Sequence, residues 1–180
     1  MASKFRLRKT IRQLNNTIKQ LEENQLSYLK AKTAAQGKIY GYWYHATGDQ
    51  TCTSTVTVDL DTNVEISDNS HFTLSNGEIT INVGGVYEVV YSVNTDVSSG
   101  TARSGSRAWL ERNNGSWSTL PGSESFMYNR GSPYGENTSS SSLIYTFNTG
   151  DKIRIRCEQH HGADTVYVLA GGSALTLTTL

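Results

Sequence analysis

Asp59 and Asp61 are the carboxylates from which acid–base chemistry would start, since that chemistry needs two ionisable groups with separated pKa values in a common cleft. On a strand they face the same side, and beside a turn they are solvated, so no glycosidase-like role is assigned to them. His160-His161 with Asp164 supplies the donor types of a zinc or nickel site. Adjacent residues on a strand point to opposite faces, however, and the expected reading is a tip-loop histidine pair without a metal. Cys52 and Cys157 stand outside any CxxC or Cys/His ligand spacing and are expected to be buried reduced thiols. A disulfide between them stays open, because their separation in sequence says nothing about distance. The patterns GxSxG, P-loop and HExxH do not occur. No catalytic residue, cofactor or metal ligand is therefore assigned, and the expected activity is binding without turnover.

Two groups of side chains have the chemistry to bind. Lys152, Arg154 and Arg156 alternate along one strand and form an outward basic row suited to phosphate or acidic sugar, although charged rows also discourage strand-to-strand aggregation. Trp109 and Trp117, beside Asn113-Asn114-Gly115-Ser116, are candidates to stack on sugar rings if exposed. Nucleic acid is not expected as a partner. The part of the chain after residue 38 is net acidic, and Tyr87, Tyr91 and Tyr145 fall in the core-facing register rather than alternating with Arg. Tyr40, Tyr42, Trp43 and Tyr44 form an aromatic cluster suited to a collar between subunits or to the core.

The elements that must position these groups differ sharply along the chain. Leu7, Ile11, Leu14, Ile18 and Leu21 recur at steps of four and three, the a/d seam of a heptad, and a helix from about Lys4 to Ala35 is predicted, stopped by Gly37. Ile at a with Leu at d favours two-stranded coils, and little more than two clean heptads would associate feebly alone. Charge is segregated as well. Residues 1–38 hold nine Lys/Arg and two Glu, and residues 39–180 hold seven Lys/Arg and fourteen Asp/Glu, or about +7 against −7. The arm's partner is then acidic, or the charge keeps the arm soluble until assembly. No stretch is apolar over the length that spans a bilayer, and no apolar run of a secretory signal follows the basic start, so synthesis and residence in a cytoplasm are expected.

From Ile39 the apolar period becomes two. Val56/Val58/Leu60, Ile79/Ile81/Val83, Tyr87/Val89/Tyr91/Val93, Leu143/Tyr145/Phe147, Ile153/Ile155/Cys157 and Leu175/Leu177 each read as one face of a half-buried antiparallel strand. Turn residues separate them at Ser75-Asn76-Gly77, Gly84-Gly85, Asn113-Asn114-Gly115, Pro121-Gly122, Thr149-Gly150-Asp151 and Gly171-Gly172. Eight to ten strands at this spacing predict a mainly β sandwich or barrel. Residues 121–142 are expected to form a surface connection around a short strand at Ser125–Tyr128.

GGVYEVVYSV at 84–93, RAWLERNNG at 107–115, TGDKIRIRC at 149–157 and the closing GGSALTLTTL resemble, in that order, the trimeric jelly-roll heads of the complement C-one-q and tumour necrosis factor superfamily. With the Ser/Thr/Asn/Gly-rich surface and no collagen repeat, the version resembled is that of tailed bacteriophages, where such heads serve as fibres, spikes or capsid decorations. The resemblance implies an antiparallel jelly-roll head over 38–180, a homotrimer, and a coiled-coil stalk over 1–37 whose helices the heads hold together. It further implies a virion structural protein whose foot, Lys4, Phe5, Arg6, Arg8, Lys9 and Arg12, grips an acidic capsid or portal surface, and whose head decorates the capsid or adheres to host surface glycan. The alternative is a soluble, secreted-type ligand of the same superfamily that binds a receptor or carbohydrate.

Overall fold

In the computed structural model the described residues are 13–25, 38–66, 70–97, 103–131 and 135–180. The chain divides into two units, Met1–Gly37 and Lys38–Leu180. In the first, residues 13–25 form a helix, α1, with Lys19 and Glu23 one turn apart at 3.9 Å. Leu14, Ile18 and Leu21 are exposed along it, so no described residue covers this apolar stripe. The other seam positions, Leu7 and Ile11, and the whole foot, Lys4, Phe5, Arg6, Arg8, Lys9 and Arg12, lie outside the described residues, as does the predicted Gly37 stop.

The second unit is all β. Its strands are β1 (Tyr40–Tyr44), β2 (Gln50–Thr51), β3 (Val56–Thr57), β4 (Thr62–Ile66), β5 (Phe72–Ser75), β6 (Glu78–Ile81) and β7 (Gly85–Val97). They continue with β8 (Ser104–Asn113), β9 (Trp117–Thr119), β10 (Ser125–Asn129), β11 (Asn137–Phe147), β12 (Lys152–Gly162), β13 (Val166–Val168) and β14 (Ala174–Thr179). Every pairing is antiparallel. One sheet runs β4, then β1 and β2 end to end, then β14 and β13 end to end, then β7, with β11 on its far edge. The other runs β5, then β6 and β3, then β12, then β8, with β9 and β10 beyond. Interruptions thus split the expected eight to ten strands into more segments without adding strand positions.

The four motifs that carried the resemblance are the centre of this layout. The first and last become β7 and β14, which pair in one sheet, and the middle two become β8 and β12, which pair in the other. Between the sheets lie Leu177, Leu175, Val89, Ile79, Ile81, Leu110, Ile153 and Ile155, all fully buried, each worth about 1.5–3 kcal/mol of burial. An aromatic string threads them: Trp43 meets Phe72 edge-on at 5.3 Å, Phe72 meets Tyr87 at 5.8 Å, and Tyr87 meets Phe147 at 6.0 Å. Gly41 makes room for the first link, since a Cβ there would stand 2.3 Å from the Trp43 ring. At the β5–β6 hairpin, Asn76 and Gly77 both have positive φ, 53° and 72°, the two-residue turn that the Asn-Gly pair predicts.

Two observations correct the sequence reading. Half of the 121–142 connection is strand: β10 extends to Asn129, and Asn137–Ser142, expected as loop, is the first half of β11, paired residue by residue with β7 from Asn137↔Thr95 onward. The backbone groups that face β7 are satisfied by that partner, which overrides the poor strand propensity of a serine run. Val83, expected inward with Ile79 and Ile81, is exposed, because β6 ends at Ile81.

Buried polar groups bind the layers together. The Tyr91 hydroxyl crosses from β7 to reach the Ala108 carbonyl at 3.0 Å and Ser125 Oγ at 2.7 Å, and burial pushes its pKa up to about 12. Tyr91→Phe is expected to lose about 1–2 kcal/mol in urea unfolding while the far-UV spectrum stays unchanged, because carbonyls of the opposite sheet lose their donor.

Candidate self-association face

The two outer faces of the sandwich are chemically opposite. Along β1, β7, β11 and β14 the charged residues are Glu88 and Asp96 alone. Register aligns Tyr42, Thr176, Val90 and Ser142 in one row across four strands, and Tyr40, Thr178, Glu88 and Ile144 in the next. Ile144 is 66% exposed and Val90 39%, with Val86, Tyr40 and Leu180 also exposed on this sheet. Tyr42 and Tyr44, outward and half-buried, stack with centroids 6.3 Å apart. Rings and branched aliphatics set among small Ser and Thr make a flat apolar patch of the kind that marks an association surface.

The opposite face, on β8 and β12, is a cross-strand ion network. Lys152, Arg154 and Arg156 do face outward in a row, as the alternation predicts, but acids already hold them. Arg154 donates through Nε at 2.9 Å and Nη2 at 2.7 Å to Glu111, and Lys152 Nζ lies 3.2 Å from Glu78. Arg156 Nη1 donates to Thr57 Oγ1 at 2.6 Å, and its Nε is 3.6 Å from Glu111. Trp109 is 8% exposed and donates its indole N–H to Glu111 Oε1 at 3.2 Å, while the Arg107 guanidinium lies 5.1 Å from its ring centre. Trp117 is half-buried under the Arg154 guanidinium, 3.7 Å from the ring centre. Of the possible ligand surface, Trp109 is thus buried, Trp117 half-buried, and the basic row engaged by Glu78, Glu111 and Thr57.

The aromatics named as interface or core separate by register. Trp43, Tyr87 and Tyr91 are core. Tyr40, Tyr42 and Tyr44 belong to the outer patch. Tyr145 points inward at the sheet edge, 5.0 Å from Phe147, with the Arg112 guanidinium 5.5 Å from its ring centre. Sequence reasoning missed Val90 and Ile144. Their signal is the doublets Val89-Val90 and Leu143-Ile144, which place apolar side chains on both faces of one strand. It also missed Phe126 and Tyr128, exposed side by side on β10, with the His160 ring 5.9 Å from Phe126.

The sites considered for chemistry are used otherwise. Asp61 accepts from the Ala46 and Thr47 backbone N–H groups at 2.8 and 3.1 Å and so closes the turn after β1. A register shift between Gln159 and His161 bulges β12, and the rings of His160 and His161 come to 4.2 Å instead of opposite faces. Among the described residues no three His, Cys, Asp or Glu converge as metal ligands.

Glu158 gives the ion-network face a pH dependence. Burial raises its carboxyl pKa, but hydrogen bonds from Thr55 and Arg107 outweigh that and hold it below the usual carboxylate range. A depressed folded pKa contributes stability above the unfolded value of about 4.3, lost as pH falls through the folded value. The urea midpoint of the wild type is expected to fall from pH 5 to pH 2.5, and Glu158→Gln should flatten that slope.

No family model matches the chain, and no curated protein matches it in sequence. Solved structures do match in shape. Eiger TNF from S. frugiperda superposes with a TM-score of 0.56 at 17% identity, covering 79% of this chain and 92% of its own. Murine APRIL at pH 8.5 superposes with 0.56 at 12% identity, covering 79% and 99%. At such identities the likeness speaks for the fold, an antiparallel jelly-roll sandwich of the tumour necrosis factor type.

Proposed function

We propose that this chain is a non-enzymatic structural and binding protein: a homotrimer joined through the Tyr42–Val90–Ile144 face, carried on a helical stalk and anchored by its basic foot to a virus particle as a head fibre, spike or capsid decoration. The observation that carries self-association is the contrast between the faces. Copies of a head with fourteen acids against eight bases repel each other. They can meet closely only where charge is scarce, which is the face that exposes Ile144 and Val90. Three joined heads hold their N-terminal segments at high effective concentration, and the uncovered stripe Leu14, Ile18 and Leu21 then gains partners that a short seam could not recruit alone. The particle as location rests on the acidic-partner chemistry of the foot and on the phage-type resemblance, with synthesis in the host cytoplasm.

Sedimentation at micromolar concentration tests the first half, where a stable monomer defeats it. Detection in purified particles tests the second. If stripped particles lose only adsorption rate, the head serves attachment, and Phe126 and Tyr128 are then the rings free to stack on host glycan; if they lose capsid integrity, it serves stabilisation. The fold accommodates a soluble recognition ligand equally well, and absence from purified particles would favour that reading.

A further inference from the structure

Cys52 and Cys157 are 105 residues apart in sequence, yet their Sγ atoms stand 3.1 Å apart, and both residues are fully buried. Two unbonded sulfurs seldom approach so closely, and the bond itself needs only about 1 Å more, to ~2.05 Å. The backbone around the pair is fixed on both sides. The Cys52 N–H donates to the Val166 carbonyl of β13 at 2.8 Å, in the sheet that carries β7. Its carbonyl accepts from the Gln159 N–H of β12, in the other sheet, also at 2.8 Å. Cys52 therefore sits where the chain passes from one sheet to the other. Cys157 occupies an inward position of β12, opposite Ala108 on one side and Val56 on the other.

We propose that Cys52 and Cys157 are a modification site: in an oxidising environment they close into a disulfide that staples the two sheets of the head. With oxidised glutathione the thiolate of one cysteine attacks a glutathione sulfur and expels one glutathione thiolate. The second cysteine then attacks the protein sulfur of that mixed disulfide and expels the other. Two protein thiols are oxidised, one glutathione disulfide is reduced to two thiols, and both thiol protons end on glutathione. Burial makes the outcome depend on history. The hydrogen bond between the two thiols and the loss of water push the Cys157 thiol up, so thiolate is scarce in the folded head and neither state exchanges readily with solution thiols. The state is set when the chain folds or opens. A head folded in a reducing cytoplasm holds the dithiol, and one folded under oxidising conditions holds the bond.

The test is to unfold the full chain, refold it with either dithiothreitol or a glutathione redox buffer, denature it in N-ethylmaleimide, and count adducts by mass spectrometry. Two adducts after dithiothreitol and none after glutathione are expected, with the oxidised monomer band unchanged on a non-reducing gel and its Tm raised by about 5–10 °C. Cys52→Ala should show one adduct after dithiothreitol and gain no stability from oxidation. Protein produced directly in an oxidising compartment gives the same adduct count without refolding. Two adducts after glutathione, a bond formed only between chains, or an oxidised form that melts below the reduced one would each overturn the proposal.

Discussion

If the proposed trimer forms through this face, the wild type is expected to sediment as a trimer and the double variant Val90→Glu/Ile144→Glu as a monomer, with an unchanged far-UV spectrum. The two side chains lie on the same outward face, in neighbouring rows that also hold Glu88. Each apolar side chain withdrawn from the contact forgoes roughly 1.5–3 kcal/mol of burial, repeated in every copy. Each added carboxylate also meets its symmetry mates in a head that is already acidic, so apolar loss and like-charge repulsion act together. An association loss of 100-fold or more is the expected magnitude. Phe126→Glu/Tyr128→Glu is the control, because it adds the same two charges on the other sheet and should leave the association intact. A double variant that still sediments as a trimer would remove the face from the association and, with it, the premise of the stalk.

Asp151→Ala is expected to cost about 3–5 kcal/mol, a fall in the urea midpoint of roughly 1–3 M. Asp151 is nearly buried at the turn that opens β12 and receives Arg112 Nε at 2.8 Å, Arg112 Nη2 at 2.7 Å and the Asn148 N–H at 2.7 Å. Removing the carboxylate leaves a guanidinium at the sheet edge with only the Tyr145 hydroxyl, 3.2 Å away, and the aromatic ring for company. The cost is mostly that of a desolvated, unpaired charge, so removing both partners should cost less than removing one. Arg112→Met/Asp151→Ala is expected to unfold at higher urea than Asp151→Ala alone, and a strictly additive double-mutant cycle would show that the pair is not coupled.

The alternating apolar residues of β7, β12 and β14 determined by themselves that the chain after residue 38 is antiparallel β-structure, a sandwich or a barrel, and which of their side chains face its core, because a period of two permits one inward set. Asn76-Gly77 determined its hairpin for an equally local reason, since few residues accept two successive positive φ values. The heptad stripe of α1 was likewise local. What only the tertiary structure decided was the state of every outward group. Lys152, Arg154 and Arg156 read as an outward row for anion binding or for discouraging strand aggregation, and only the topology brought Glu111 and Glu78 beside them. Whether Trp109 was a sugar platform or a packed ring was decided by the neighbouring strands and Arg107 that cover it. The serine run became strand because β7 supplied its hydrogen-bond partners, and two cysteines met because the chain crosses from one sheet to the other at Cys52. Inward positions are set by a pattern each strand carries in itself, whereas outward positions take their meaning from whichever strand lies alongside, and that neighbour is chosen by the topology.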